Sequence, residues 1–193
     1  TLRMLERLPH NANHILVWSA LLHDVGKPAV AKYSKGDDKI HFYEHDVEGA
    51  EIAERILQRL RFPSNEIEQI VTCVRYHMQL KDAQKMKTST LRRMMARPTF
   101  DIELELHRLD CLSSHGKLDI YDYIKQKQKE YAENPHLPNP LVDGEDLKKL
   151  GFVEGKELGK ALYEIREKQL SDELKTREQA LEYARKLLTN KST

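Results

Sequence analysis

Ser19-Ala20-Leu21-Leu22-His23-Asp24-Val25-Gly26-Lys27-Pro28 is the stretch whose reading decides the fold of this chain. Ile15, Leu16, Ala20, Leu21 and Leu22 are dense enough for a buried helix from about Asn13 to Asp24. Gly26 suits a C-terminal cap and Pro28 cannot continue the ladder, so the helix should stop there. A histidine and an aspartate are thereby set side by side at the end of an apolar helix. An unpaired carboxylate loses its hydration when buried, and a divalent cation offsets that cost. Successive residues lie about 100° apart around a helix, so the cation must sit near the helix end, between His23 and Asp24.

Two ligands do not complete a shell. His45 opens the helix after a turn insert, His77 closes the run Val74-Arg75-Tyr76-His77, and Asp110 lies on an apolar helix in His107-Arg108-Leu109-Asp110. His41 stands four residues before His45, a shared face if that segment is helical. Imidazole and carboxylate donors suit Mg, Mn, Fe, Co, Ni or Zn rather than a thiolate metal. Each histidine also has a plainer reading as a surface or satisfied core residue, adopted here for His10, His14, His107, His115 and His136. His14 cannot join His23, because nine helical residues separate them by about 13.5 Å and half a turn.

Outward from this stretch the pattern is helical nearly throughout. Helices are expected from about Tyr43 to Arg61, from Ser64 (as cap) to about Met78, from Ser89 or Thr90, from Thr99 through Leu112, from Asp119 to Ala132, and from Lys156 to Leu170. Thr176 with Gln179 forms a capping box for a last helix to about Leu188. Residues 32–42 carry the turn signal Gly36-Asp37-Asp38, read as a short hairpin or an open loop. Pro135, Pro138 and Pro140 mark a linker over 134–143, dividing a body of 1–133 from a helical tail of 144–193. The fold class is all-α.

The 193 residues are 39% hydrophobic and 33% charged, with a net charge of +1, which excludes a strong global field. Any nucleic-acid contact must be local. Lys81, Lys85, Lys87, Arg92, Arg93 and Arg97 against the single acid Asp82 form such a patch, read either as phosphate-binding or as a solvated face. Cys73 and Cys111 are too few for a disulfide scaffold and read as small buried hydrophobes, consistent with a cytoplasmic setting. Neither a membrane span nor a signal peptide is expected.

Leu21-Leu22-His23-Asp24-Val25-Gly26-Lys27-Pro28 resembles the signature of the HD superfamily of metal-dependent phosphohydrolases. His41-Phe42-Tyr43-Glu44-His45 with Glu48-Gly49-Ala50, Arg75-Tyr76-His77-Met78, Ser89-Thr90-Leu91-Arg92-Arg93, His107-Arg108-Leu109-Asp110, Ser114-His115-Gly116 and the tail Gly144 to Leu162 resemble one branch of it. That branch is the HD-containing C-terminal part of bacterial CCA-adding tRNA nucleotidyltransferases and poly(A) polymerases. The resemblance implies an HD-domain helical bundle with His23, Asp24 and Asp110 as metal ligands, His45 and His77 at a second-metal position, and Lys27 on phosphate. It implies hydrolysis of small phosphoesters such as 2′,3′-cyclic nucleotides.

Two departures bear on function. The family sets its first ligand histidine before a Thr-Leu pair, whereas this sequence opens on Thr1-Leu2, as a fragment whose upstream part is absent would. The Gly-Ser turn and paired strand aspartates of the polymerase core do not occur, Asp119-Ile120-Tyr121-Asp122 lacking both turn and strand, so nucleotide addition is not expected. Metal-assisted phosphoester hydrolysis is the leading expectation, with His23, Asp24 and Asp110 holding the cation, Lys27 neutralising phosphate, and His45 or His77 binding a second metal or protonating the leaving oxygen. The rival is an RNA-binding body, with tRNA as partner.

Overall fold

A computed structural model describes residues 1–131 and 138–189. His136 and residues 134–137 of the expected linker lie outside the described residues. The contacts divide the chain into two units, Thr1–Lys85 with Arg97–Lys129, and Met86–Ala96 with Glu130–Thr193. The division is discontinuous in sequence, since residues 86–96 group with the C-terminal helices rather than with the rest of residues 1–133.

The first unit is built from α1 (Leu2–Leu5), α2 (His14–Leu22), α3 (Lys27–Val30), β1 (Lys32–Ser34), β2 (Lys39–His41), α4 (His45–Arg59) and α5 (Ser64–Tyr76), then a 3₁₀ turn over Gln79–Lys85. The second unit contributes α6 (Thr88–Met95) before the chain returns to the first unit as α7 (Phe100–Ser114) and α8 (Asp119–Glu130). The Asn13 side chain accepts from the Ile15 amide and so caps α2. Ser64 does not act as a cap. Pro63 holds the N-cap position with no side-chain cap bond, and Ser64 is the first helical residue. The insert resolves as a hairpin, Lys32 pairing with His41, Tyr33 with Ile40 and Ser34 with Lys39. His41 therefore lies in a strand, and the helical face it would share with His45 does not exist.

One apolar cluster joins α2 to α4 and α5 through Ile15, Leu22, Ala50, Ala53, Leu57, Ile70 and Val74, with the Trp18 ring edge-on to Phe62 at 4.9 Å. A second joins α1, α2, α5 and α7 through Met4, Leu16, Ala20, Cys73, Leu106 and Leu109. Both faces of α2 are thus covered, which is why its apolar pattern is dense rather than striped. Gly26 has an ordinary helical φ of −77°, so it is not a left-handed cap. It is small for a steric reason: a Cβ there would sit 2.2 Å from the His45 carbonyl oxygen and 2.5 Å from the Gly49 nitrogen. Gly26 and Gly49 let the turn after α2 touch the backbone of α4.

The second unit packs α6, α9 (Gly144–Lys149), α10 (Lys156–Leu170) and α11 (Arg177–Thr189). Its core is Val142, Leu147, Phe152, Ala161, Ile165, Ala180 and Ala184. The capping box of α11 forms, the Gln179 amide donating to Thr176 Oγ1 and the Thr176 amide to Gln179 Oε1. A second box, Asp143 with Asp146, starts α9 and was not anticipated, being Asp-to-Asp rather than Ser/Thr-to-Glu/Gln.

Candidate metal centre

His23 is the C-cap of α2, His45 the first residue of α4, and His77 the C-cap of α5. All three side chains are buried. Each hydrogen-bonds through Nδ1 to the backbone carbonyl three residues earlier: His23 to Ala20 at 2.9 Å, His45 to Phe42 at 2.7 Å and His77 to Val74 at 2.6 Å. A carbonyl only accepts, so the proton is on Nδ1 and a neutral ring presents a lone pair at Nε2. Backbone carbonyls of this kind commonly orient metal-ligating histidines.

The three Nε2 atoms converge on Asp24, in the turn between α2 and α3. Oδ2 lies 3.2 Å from His23 Nε2, and Oδ1 lies 3.5 Å from His45 Nε2 and 4.0 Å from His77 Nε2. His45 Nε2 and His77 Nε2 are 3.2 Å apart. Two lone pairs facing each other at that distance repel, and a cation between them removes the conflict. Donors about 2.1 Å from one cation lie roughly 3–3.5 Å from each other, so these spacings fit a divalent ion. Asp24, His45 and His77 offer ligand atoms all within 4.8 Å of one another. Asp110, on α7 and half-exposed, has Oδ1 3.9 Å from His23 Nε2.

Burial works to raise the Asp24 carboxyl, but the Lys27 ammonium donating to it outweighs that and the group is held well below the usual carboxylate range. Burial pushes His77 down to about 4, against the Val74 carbonyl bond, and the neighbouring His23 and His45 add to the depression. At neutral pH His77 is therefore a lone-pair donor. Lys27 Nζ donates to Asp24 Oδ2 at 2.6 Å and lies 5.8 Å from the Phe42 ring centroid.

The backbone around these side chains carries its own constraints. Glu44, immediately before His45, is left-handed at φ 60°. That turn brings the Phe42 carbonyl back to His45 Nδ1. Arg97 secures the other side. Its guanidinium donates to both carboxylate oxygens of the fully buried Glu103, at 3.1 and 2.5 Å, and to Gln79 Oε1 at 2.8 Å, and lies 4.3 Å from the Tyr76 ring centroid. Tyr76 and Gln79 flank His77, so Arg97 braces the end of α5. The sequence carries no sign of this role, because Arg97 and Glu103 lie in different elements from His77. Nor did it suggest the Gly26 contact with α4.

Four other histidines among the described residues have partners of their own. His41 Nε2 bonds Asp37 at 2.7 Å on the hairpin, His14 faces Glu66 at 3.1 Å, and His115 Nδ1 accepts from the Lys117 amide. His107 is buried beside Cys111, Nε2 to Sγ 3.6 Å, and burial lowers its pKa. Lys81, Lys85 and Arg97 belong to the first unit, and Lys87, Arg92 and Arg93 to the second. The arginines are engaged within the chain: Arg92 is bidentate on Asp172 at 3.2 and 2.9 Å, Arg93 bonds Glu167, and Arg97 bonds Glu103. The lysines are exposed, Lys85 lying 3.9 Å from Asp82.

The HD domain family's sequence profile matches residues 1–113. The chain belongs to the HD domain family. Two curated relatives extend the likeness beyond the HD domain. A CC-adding tRNA nucleotidyltransferase of Thermus thermophilus is 33% identical over 165 residues, 84% of this chain and 37% of that protein. An A-adding tRNA nucleotidyltransferase of Deinococcus radiodurans is 30% identical over 185 residues, 92% of this chain and 42% of that protein. This HD domain and its extension thus span about two fifths of the length of these relatives. No solved structure matches significantly. Among the described residues no helix is long and apolar enough to cross a membrane.

Proposed function

We propose that this HD domain is a metal-dependent phosphohydrolase acting on phosphodiesters such as 2′,3′-cyclic nucleotides. The observation that carries the reading is the set of three histidines, each fixed through Nδ1 on a carbonyl, with their Nε2 atoms aimed at Asp24. His23, Asp24 and Asp110 would hold one divalent cation, and His45 and His77, sharing Asp24, a second. When bound, such an ion supplies Lewis acidity toward a phosphoryl oxygen and lowers the pKa of water.

The remaining chemistry belongs to the side chains. Asp24 stays ionised through the working pH range, because the Lys27 ammonium stabilises its charge. Lys27 is a compact point charge at the edge of the site, suited to an anionic phosphoryl group. His77 is unsuited to proton donation at neutral pH because burial depresses its pKa. His45, with Nδ1 committed to the Phe42 carbonyl and Nε2 facing Asp24 and His77, acts in this reading as a ligand and not as the acid. Turnover of 2′,3′-cyclic AMP should depend on added divalent metal, stop with chelator, and fall by at least two orders of magnitude in Asp24→Ala. Undiminished turnover in that variant would refute the assignment.

A second reading rests on the comparisons: both relatives are named as tRNA nucleotidyltransferases. We infer that the chain also contacts tRNA, with Lys81, Lys85 and Lys87 as exposed phosphate contacts and the three arginines contributing chiefly to internal structure. Gel shift with tRNA at 50 and 200 mM salt tests this, since phosphate-driven binding weakens steeply over that interval. Binding unaffected by a Lys81, Lys85 and Lys87 triple alanine substitution would remove those residues from the interface.

A further inference from the structure

The hairpin that delivers His45 carries a surface the metal centre does not use. Successive strand residues point to opposite faces, so Lys32 and His41, paired across the ribbon, share one face with Ser34 and Lys39. The His41 imidazole is held by Asp37 at 2.7 Å and lies parallel to the Tyr43 ring, centroids 5.2 Å apart and planes 6° from coincidence. Tyr43 is 70% exposed although it belongs to the segment that fixes His45. Its neighbour Phe42 supplies the carbonyl for His45 Nδ1 and a ring beside Lys27. At most about 7 Å of extended backbone separates Tyr43 from His45.

We propose that His41 and Tyr43 form a stacking platform for the planar heterocycle of the substrate, a nucleobase attached to the phosphoryl group handled by the metal centre. This rests on the phosphoester reading of that centre. Three features support it together. The stack is preorganised, because Asp37 holds the imidazole and the imidazole backs the phenol. The outer π-face is open to solvent. Lys32 and Lys39 on the same ribbon face give the platform a cationic margin matching a nucleotide's charge. Stacking tolerates any base, so the platform selects for a base rather than for its identity. Tyr43 and His41 are thus binding residues and take no part in bond breaking.

The test compares adenosine 5′-monophosphate with ribose 5-phosphate, which lacks the base, by NMR titration of the intact chain. Wild type should bind the nucleotide about tenfold or more tightly than the sugar phosphate. The Tyr43 and His41 ring protons should move upfield with the nucleotide only. Tyr43→Ala should erase the preference without altering ribose 5-phosphate binding, and Tyr43→Phe should restore it. Equal affinities in wild type, no nucleotide binding at millimolar concentration, or a preference that survives Tyr43→Ala would each overturn the platform. Turnover of 2′,3′-cyclic AMP separates the two ideas. Base-dependent binding without hydrolysis would leave the platform standing and remove the hydrolase reading, and hydrolysis without base preference in binding would do the reverse.

Discussion

A histidine becomes a useful ligand only when one nitrogen is committed elsewhere, and here the commitment is made by the helix ends. The carbonyls of Ala20 and Val74 lie in last turns, where backbone donors run out, and each takes a histidine Nδ1 instead. Gly26 is the residue on which this arrangement is most exposed to change. A Cβ there meets main-chain atoms of His45 and Gly49, which no rotamer can relieve. Gly26→Ala should cost about 1–3 kcal/mol, as overpacking does, and should weaken metal binding more than an equally destabilising substitution in the second unit. Urea denaturation and metal titration on both variants check this. Arg97 gives a second prediction. Arg97→Ala removes the ion-pair partner of fully buried Glu103 and leaves it the Thr99 hydroxyl, at about 3–5 kcal/mol. Arg97→Lys keeps the charge but loses the two-pronged bond and the stacking on Tyr76. It should fold, with metal affinity reduced through His77. Wild-type affinity in folded Arg97→Lys would show that the brace does not reach the site.

At the scale of elements, α7 carries both an expected ligand, Asp110, and a buried histidine that the site does not recruit. Burial lowers the His107 pKa relative to the unfolded chain. The neutral ring is favoured in the fold, so the unfolded chain binds more protons once pH falls below about 6.5. The stability contributed is present above that pH and is lost as pH falls toward the depressed folded value. Chelator-treated wild type should therefore lose thermal stability between pH 7.5 and 5.5, and His107→Gln should lose less. The elements differ in how far their sequences announce them. The turn after α2 was legible because adjacent His23 and Asp24 close an apolar run, an arrangement with few cheap explanations. His45 and His77 were legible only as candidates, since what joins them is a three-dimensional convergence from separate helices. His41 could share a face with His45 only if its segment were helical, and the turn signal Gly36-Asp37-Asp38 instead makes the hairpin that was one of its two readings. The basic run from Lys81 to Arg97 read as one patch because the acids that engage its arginines, Glu103, Glu167 and Asp172, are distant or lie outside the run.

For the whole molecule, the discontinuous division means that residues 86–96 depend on sequence far downstream. Ser89 bonds Glu167, Arg92 bonds Asp172, and Leu91 and Met94 are buried. A chain ending at residue 130 should keep the first unit and lose amide-exchange protection over Thr88–Met95. Full protection there would mean that α6 is held by other contacts. Such a truncation should leave the metal centre intact, because all five proposed ligands lie in the first unit. The same logic locates the decisive measurement. After stripping with chelator, wild type should bind Mn²⁺ with measurable heat in a calorimetric titration, releasing no more than two equivalents' worth of signal. Asp24→Ala should abolish that heat while retaining a cooperative unfolding transition. Absence of binding in wild type, or unchanged binding in folded Asp24→Ala, would contradict the claim that these imidazoles and this carboxylate are arranged around a cation.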